Sequence, residues 1–145
     1  MNFTLKSMNT GDLAEVISLW ENTDGVGLNQ ADSPENLVRY LARNPGLSQV
    51  AIDQQGSIIG AALCGHDGRR GYLNHVAVDS TWRRQGVATA IIERCFEMLN
   101  GQGIDRCTIL VFTDNQEGQQ FWGRKGWRKR SDLIVMQKDV DTGSS

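Results

Sequence analysis

Apolar and polar positions set the outline of this chain before any single residue is considered. Residues 3–8 alternate, apolar against polar, and predict a short strand. Leu13, Val16, Ile17 and Trp20 then recur at helical spacing, with Asn9 or Thr10 placed to cap that helix. Residues 22–32 are rich in Gly, Asn and Asp and predict a loop; Gly25-Val-Gly27 lacks the flanking strand and helix start of a dinucleotide fingerprint. Ser33-Pro34-Glu35 opens a second helix with a cap, a first-turn proline and an early acid, and Leu37, Val38 and Leu41 form its apolar face. Residues 48–53 and 57–64 are apolar runs joined by Asp53-Gln-Gln-Gly56, a hairpin pattern.

The central stretch follows a second turn at residues 65–71. Tyr72-Leu-Asn-His-Val-Ala-Val78 reads as a buried strand, Asp79 to Gly86 as a turn, and residues 86–100 as a long helix stopped by Gly101-Gln-Gly103. A β-branched strand is predicted over 106–112, a short helix over 115–125, and a final strand pair at 127–130 and 133–138. Residues 1–139 make one domain and 140–145 a short polar tail. The order β-α-α-β-β-β-α-β-α-β-β predicts an α/β chain with a mixed central sheet and helices on both faces.

Composition narrows the function classes. The chain has 145 residues and a formal net charge of −2, so no global field draws it to nucleic acid or an anionic membrane. No apolar run approaches the roughly 18–20 residues of a membrane span. No basic segment precedes an apolar core at the N-terminus, so the expected location is the cytoplasm. The cysteines, Cys64, Cys95 and Cys107, are odd in number and form no C-x-x-C pair, which predicts reduced thiols and no metal site. The basic cluster Arg124, Lys125, Arg128, Lys129 and Arg130 reads as a solvated surface.

The turn between the central strand and the long helix carries chemistry. It is not a Walker loop, because no Gly-Lys-Ser/Thr follows, and it lacks the second glycine of a dinucleotide fingerprint. It fits a diphosphate cradle: Gly86 permits close backbone approach, Ala88 keeps the first helical turn slim, and the amides of Arg84, Gln85, Gly86, Val87, Ala88 and Thr89 can converge on oxyanions. Taken alone, an ordinary strand-to-helix turn with exposed arginines explains the same residues.

A second constellation decides between the two. Val76-Ala-Val78-x-x-x-x-Arg83-x-x-Gly86-x-Ala88, together with Asn115-x-x-x-x-x-Phe121-Trp122-x-x-x-Gly126-Trp127, resembles the two signature stretches of the GNAT (Gcn5-related N-acetyltransferase) superfamily, in the same element order over about residues 3–138. Gly65-His-Asp-Gly-Arg-Arg-Gly71 is similar to the matching turn of small bacterial acetyltransferases of the YpeA type. The resemblance implies the GNAT fold, with strands four and five splayed, and acetyl-CoA as cosubstrate. It implies that the backbone of Val76 and Val78 pairs with the pantetheine arm, that Arg84 to Thr89 hold the pyrophosphate, that Ala77 and Arg83 also belong to the cofactor-binding set, and that Asn115 contacts the pantetheine or shapes the cleft. A part of the basic cluster would favour the 3′-phosphate of CoA.

The implied reaction is direct attack of a primary amine on the thioester. The acceptor is a small molecule, an amino-acid-like compound or a peptide N-terminus, in a site built from residues 22–32, 65–71 and the final hairpin. The attacking amine must be deprotonated, and the backbone N–H of Val78 or Val76 is the expected oxyanion donor. Family bases lie on the central strand at positions matching Tyr72 or Asn74, neither of which is a good base here. His75 carries an imidazole, the side chain suited to general base work, yet strand parity places it on the opposite face unless a bulge changes the register. Water relayed past His66 or Asp67 is the alternative. Trp122 stands where the family commonly has Tyr, and an indole N–H donates a hydrogen bond without releasing a proton. The thiolate then leaves unprotonated, as its pKa of about 8.5 permits, or water or Tyr72 protonates it. The competing reading is an acetyl-CoA-binding protein with a sensory or weakly catalytic role. The expected assembly is a monomer or a homodimer.

Overall fold

A computed structural model describes residues 2–140; Met1 and 141–145, most of the expected tail, lie outside the described residues. The chain divides into two compact units, Met1–Leu110 and Val111–Ser145.

The first unit runs β1 (Phe3–Ser7), α1 (Leu13–Glu21), α2 (Pro34–Arg43), β2 (Gln49–Asp53), β3 (Ile58–His66), β4 (Gly71–Val78), α3 (Val87–Gly101) and β5 (Cys107–Thr108). The sheet has the order β1-β2-β3-β4-β5. The first three pairings are antiparallel and β4 with β5 is parallel. The sequence signals place these elements well. Asn9 and Asp12 form a capping box ahead of α1. Ser33 accepts from the Asn36 N–H at the start of α2, with Pro34 in its first turn. Asp53 Oδ1 accepts from the Gln55 and Ser57 N–H groups and closes the hairpin.

Helices cover both sheet faces of this unit. On one face, Leu13, Val16 and Trp20 of α1 and Leu37 of α2 pack with Val50, Ile58, Ala61, Leu63 and Ala77 of the sheet. On the other, α3 lies so close that a Cβ on Gly60 would come within 2.8 Å of Val87 and 2.9 Å of Ile91, and one on Gly71 within 2.8 Å of Leu99. Each large side chain buried between the layers contributes about 1.5–3 kcal/mol.

Three differences from the sequence expectations matter. The expected strand 106–112 pairs only at Cys107–Thr108, because β4 and β5 remain in register only from Gly71↔Cys107 to Tyr72↔Thr108. The first unit therefore ends its sheet with two strands that part early, the expected splay. In the second unit, α4 (Gln116–Arg124) forms, but neither 127–130 nor 133–138 is a strand among the described residues. A strand persists only by pairing. Leu133, Ile134, Val135 and Met136 form an unbroken apolar run, 60% to 85% exposed, with no ladder partner among the described residues. The third difference is in β4. Leu63 pairs with Asn74 but Ala61 pairs with Ala77, so His75 and Val76 together face Ala62: a bulge of one residue.

Candidate active site

The bulge organises the site. His75 carries φ +56°, a left-handed backbone in a residue with a Cβ. Before it, Tyr72 and Asn74 face the α1/α2 side: Tyr72 pairs with Gly65, where a Cβ would meet Tyr40 and Asn44 of the α2 end. Asn74 lies near the Tyr40 hydroxyl, and burial pushes that phenol well above its ordinary range. After the bulge, Ala77 lies in the α1/α2 core and Val78 pairs with Gly60, which faces α3. The expected common face for Tyr72, Asn74, Val76 and Val78 is therefore broken at residue 75.

His75 itself is held on the α1 side. Its carbonyl accepts from the indole N–H of buried Trp20 at 2.7 Å, and the two rings meet edge to face at 5.0 Å. Its Nε2 lies 2.9 Å from Asp32 Oδ1, with the two side chains 17% and 10% exposed. The parity objection to His75 does not hold, because the extra residue changes the register.

The edge of β4 away from β3 is open beyond its short pairing with β5. Asp79 N–H donates to Ile59 C=O at 2.8 Å, which makes that pair a hydrogen-bonded one. Antiparallel alternation then turns both polar backbone groups of Val78 away from β3, toward the gap left where β5 departs. An extended amide chain finds donors and acceptors there, in the manner of an added strand.

Directly downstream lies the predicted cradle. Asp79 accepts from the Thr81 N–H at 2.9 Å and the Thr81 hydroxyl at 2.8 Å, which holds its carboxyl below the usual carboxylate range. Arg84 has φ +63° and Gly86 φ +83°, so the turn bends through two left-handed residues into α3. Arg83, Arg84, Gln85 and Gly86 are exposed. A Cβ on Gly86 would meet nothing within 4 Å, leaving space over the backbone. The first-turn amides of α3, including those of Val87, Ala88 and Thr89, have no intrahelical acceptors. Open space, two arginines and unpaired amides at the start of a fifteen-residue helix suit a diphosphate.

The relay residues considered from sequence are engaged in the β3–β4 turn. His66 Nδ1 accepts from the Gly68 N–H at 2.9 Å and its Nε2 lies 2.6 Å from Gln102 Oε1. Asp67 accepts from the Arg69 and Arg70 amides, and these bonds lower its carboxyl pKa. Tyr72 is 37% exposed.

Asn115 and Trp122 belong to the second unit. Asn115 caps α4, its side chain accepting from the Gly118 N–H at 2.9 Å. Trp122 meets Phe121 at 5.2 Å and Trp127 at 5.0 Å, both edge to face. In the same unit, Arg130 pairs with Asp132 through two 2.9 Å bonds, holding that carboxyl at about 2. Sequence reading missed Asp32, Trp20 and Tyr40 as neighbours of the central strand. Only Asp32 left a trace, since Asn29-x-x-Asp32 has the spacing of a capping box, which the structure forms. Among the described residues no group of His, Cys, Asp or Glu could hold a metal ion, and no helix is long and apolar enough to cross a membrane.

Known proteins resemble this chain in sequence and in fold. The model of the acetyltransferase (GNAT) family matches residues 13–127. The chain is 29% identical over 128 residues to acetyltransferase SG1711 of Sodalis glossinidius, covering 88% of each. It is 35% identical over 105 residues to acetyltransferase plu1384 of Photorhabdus laumondii, covering 72% of this chain and 71% of that one. Among solved structures, a GNAT-family acetyltransferase from Staphylococcus aureus Mu50 superposes with a TM-score of 0.77 at 19% identity, over 97% of this chain and 94% of that one. Rv2747 from Mycobacterium tuberculosis, in complex with CoA, superposes with a TM-score of 0.72 at 20% identity, over 92% and 76%. The ribosomal-protein-S18-alanine N-acetyltransferase of Escherichia coli gives 0.74 at 19% identity, over 89% and 79%.

Proposed function

The chain belongs to the GNAT acetyltransferase family and is an N-acetyltransferase, and from that premise we propose that it uses acetyl-CoA to acetylate a primary amine by direct attack on the thioester. The observation that carries this reading is the free edge of β4 at Val78, followed at once by the open, left-handed turn at Arg84 and Gly86. The pantetheine amides pair with the backbone of Val76 and Val78, with Ala77 between them bonded to β3. The pyrophosphate rests on Arg83, Arg84 and the amides of Gln85 to Thr89. The Val78 N–H, aimed into the gap, donates to the carbonyl oxygen as it gains charge. Asn115 caps α4 and Trp122 stands where the family commonly has Tyr, the two positions of the second unit to which the family resemblance assigns cofactor and leaving-group roles.

Of the side chains on β4, His75 is the one suited to take a proton from the acceptor, because an imidazole exchanges protons near neutral pH. Tyr72 is the exposed hydroxyl on that strand and is available to the departing thiolate. The loop 22–32, which meets β4 through Asp32, contributes to the acceptor site. The acceptor is a small amine, an amino-acid-like compound or a peptide N-terminus; the solved Escherichia coli neighbour acts on the alanine of ribosomal protein S18. The domain spans residues 1–139 and works in the cytoplasm, where its three free thiols stay reduced.

The test is thiol release from acetyl-CoA, read with Ellman's reagent, across small amines, amino acids and peptides with free or blocked N-termini. Release with one acceptor class, and none with its blocked form, supports the reading. Thermal stabilisation by acetyl-CoA without turnover on any acceptor favours a sensory role. The absence of both stabilisation and release overturns the assignment of the β4 edge.

A further inference from the structure

We propose that Asp32 is a positioning residue that fixes the tautomer of His75, so that Nδ1 is the nitrogen that accepts the proton; this rests on the acetyltransferase reading above. No sequence pattern joins these residues, which lie 43 positions apart.

The carboxylate is itself held from behind. Asp32 Oδ1 faces His75 Nε2 at 2.9 Å, while the Asn29 N–H donates to Oδ2 at 3.2 Å. The 3-10 turn Gln30–Asp32 is closed on the other side by Asn29 Oδ1, which accepts from the Ala31 N–H at 2.8 Å. Both carboxylate oxygens are thus committed, and the side chain is only 10% exposed. An ionised carboxylate only accepts, so the hydrogen between the two residues resides on Nε2. In the neutral ring the lone pair is then on Nδ1. Among the described residues Nδ1 has no hydrogen-bond partner. The one buried side-chain polar atom without a partner there is Gln49 Oε1, so Nδ1 is reached by solvent.

The ring is fixed on its other sides as well. Trp20 holds the His75 carbonyl at 2.7 Å and stacks edge to face on the imidazole. The result is a line from backbone to carboxylate to imidazole to open nitrogen, which is the logic by which a buried acid orients a catalytic histidine. In the step this serves, Nδ1 takes one proton from the acceptor ammonium. The freed lone pair forms the C–N bond, the C–S bond breaks with its electron pair on sulfur, and the second nitrogen proton goes to the thiolate. The imidazolium, facing the Asp32 carboxylate, returns its proton to solvent. Overall an ammonium and a thioester give an amide, a thiol and one proton.

Asp32→Asn separates this role from a structural one. The Asn29 N–H still needs an acceptor, so the new amide keeps its oxygen there and turns its NH₂ toward His75. Nε2 must then accept, and the ring hydrogen moves to Nδ1, which is closed as a base. Nitrogen-15 imidazole spectra of the wild-type chain at pH 8 are expected to show the Nε2–H tautomer, and those of Asp32→Asn the Nδ1–H tautomer. The kcat of Asp32→Asn on a working acceptor is expected to fall at least tenfold, with acetyl-CoA Kd and acceptor KM little changed. His75→Gln is expected to lose kcat to a similar extent with the same Kd.

A wild-type Nδ1–H tautomer overturns the proposal without any variant. So does an Asp32→Asn enzyme that keeps its kcat while showing the altered tautomer. Absence of turnover by the wild-type chain on every amine is a distinct failure, which removes the underlying reading and the role of His75 with it.

Discussion

Gly86 offers a direct measurement of the diphosphate cradle. It has φ +83° immediately before α3, and a Cβ added there would meet nothing within 4 Å. Gly86→Ala therefore costs backbone strain alone, about 1–2 kcal/mol for an L-residue in the left-handed region. For a chain of this size that is roughly 3–8 °C in Tm. Gly86→Glu carries the same strain and adds one negative charge over the exposed turn. Two unit charges about 4 Å apart repel by about 1 kcal/mol in bulk water and about 4 kcal/mol near a protein surface. A diphosphate presents more than one charge, so the Glu variant should bind acetyl-CoA at least about tenfold more weakly than the Ala variant, a difference of about 1.4 kcal/mol. Calorimetric titration gives the two Kd values and thermal unfolding the two Tm values, which should coincide. Raising the salt to about 1 M, where the Debye length is about 3 Å, should narrow the gap. Equal acetyl-CoA affinities in the two variants would refute the assignment of this turn.

Three further outcomes follow from the packing of the same protein. Gly60→Ala places a Cβ 2.8 Å from Val87 and 2.9 Å from Ile91; overpacking of this kind costs about 1–3 kcal/mol, read as a lower urea midpoint with an unchanged slope, and an unchanged midpoint contradicts the close packing of α3. Burial pushes the Cys107 thiol up to about 12, so at pH 8 it carries less thiolate than a free cysteine and iodoacetamide should modify it far more slowly in the native chain than in urea; equal rates contradict the burial. Trp122→Phe keeps aromatic contact with Phe121 and Trp127 and should retain most of the wild-type kcat, whereas a large loss at unchanged Tm would show that the indole N–H takes part in the chemistry.

Local signals were legible where a side chain acts within a few residues of itself. Ser33 and Pro34 start α2, Asp53 closes its hairpin, and the glycines after residue 100 end α3, each through a bond to nearby backbone. The nine-residue strand β3 was legible for a different reason: buried on both faces from Ile58 to Gly65, it reads as an apolar run. The bulge was not. Nothing in Tyr72-Leu-Asn-His-Val-Ala-Val78 marks residue 75 as the extra one, since the register is decided by what each face meets across the sheet. The Asp32 contact was hidden for the same reason, because a loop and a strand distant in sequence meet only once α1 is packed. The strands expected at 127–130 and 133–138 failed in the opposite direction. Apolar composition invited a ladder that no partner in the second unit supplies.

The left-handed backbone at His75 also has an energetic account that links packing to chemistry. A non-glycine residue there costs about 1–2 kcal/mol. Trp20 is fully buried, and an indole N–H left without an acceptor would cost about 1–3 kcal/mol. The His75 carbonyl is the acceptor it finds, at 2.7 Å. Restoring regular pairing at β4 would remove the strain, but it would also return the imidazole to the α3 side, shift Ala77 out of the α1/α2 core and re-aim the Val78 amide. The Trp20 bond is worth about as much as the strain costs, and the burial of Ala77 in the α1/α2 core adds to the same side, so the core holds the strained register. On the proposed mechanism both groups follow from that same register: His75 faces Asp32 of loop 22–32, and three residues later the Val78 amide faces the unpaired edge. A single inserted residue thus sets the positions of both the proposed proton acceptor, His75, and the proposed oxyanion donor, the Val78 amide, and packing at Trp20 and Ala77 holds that register.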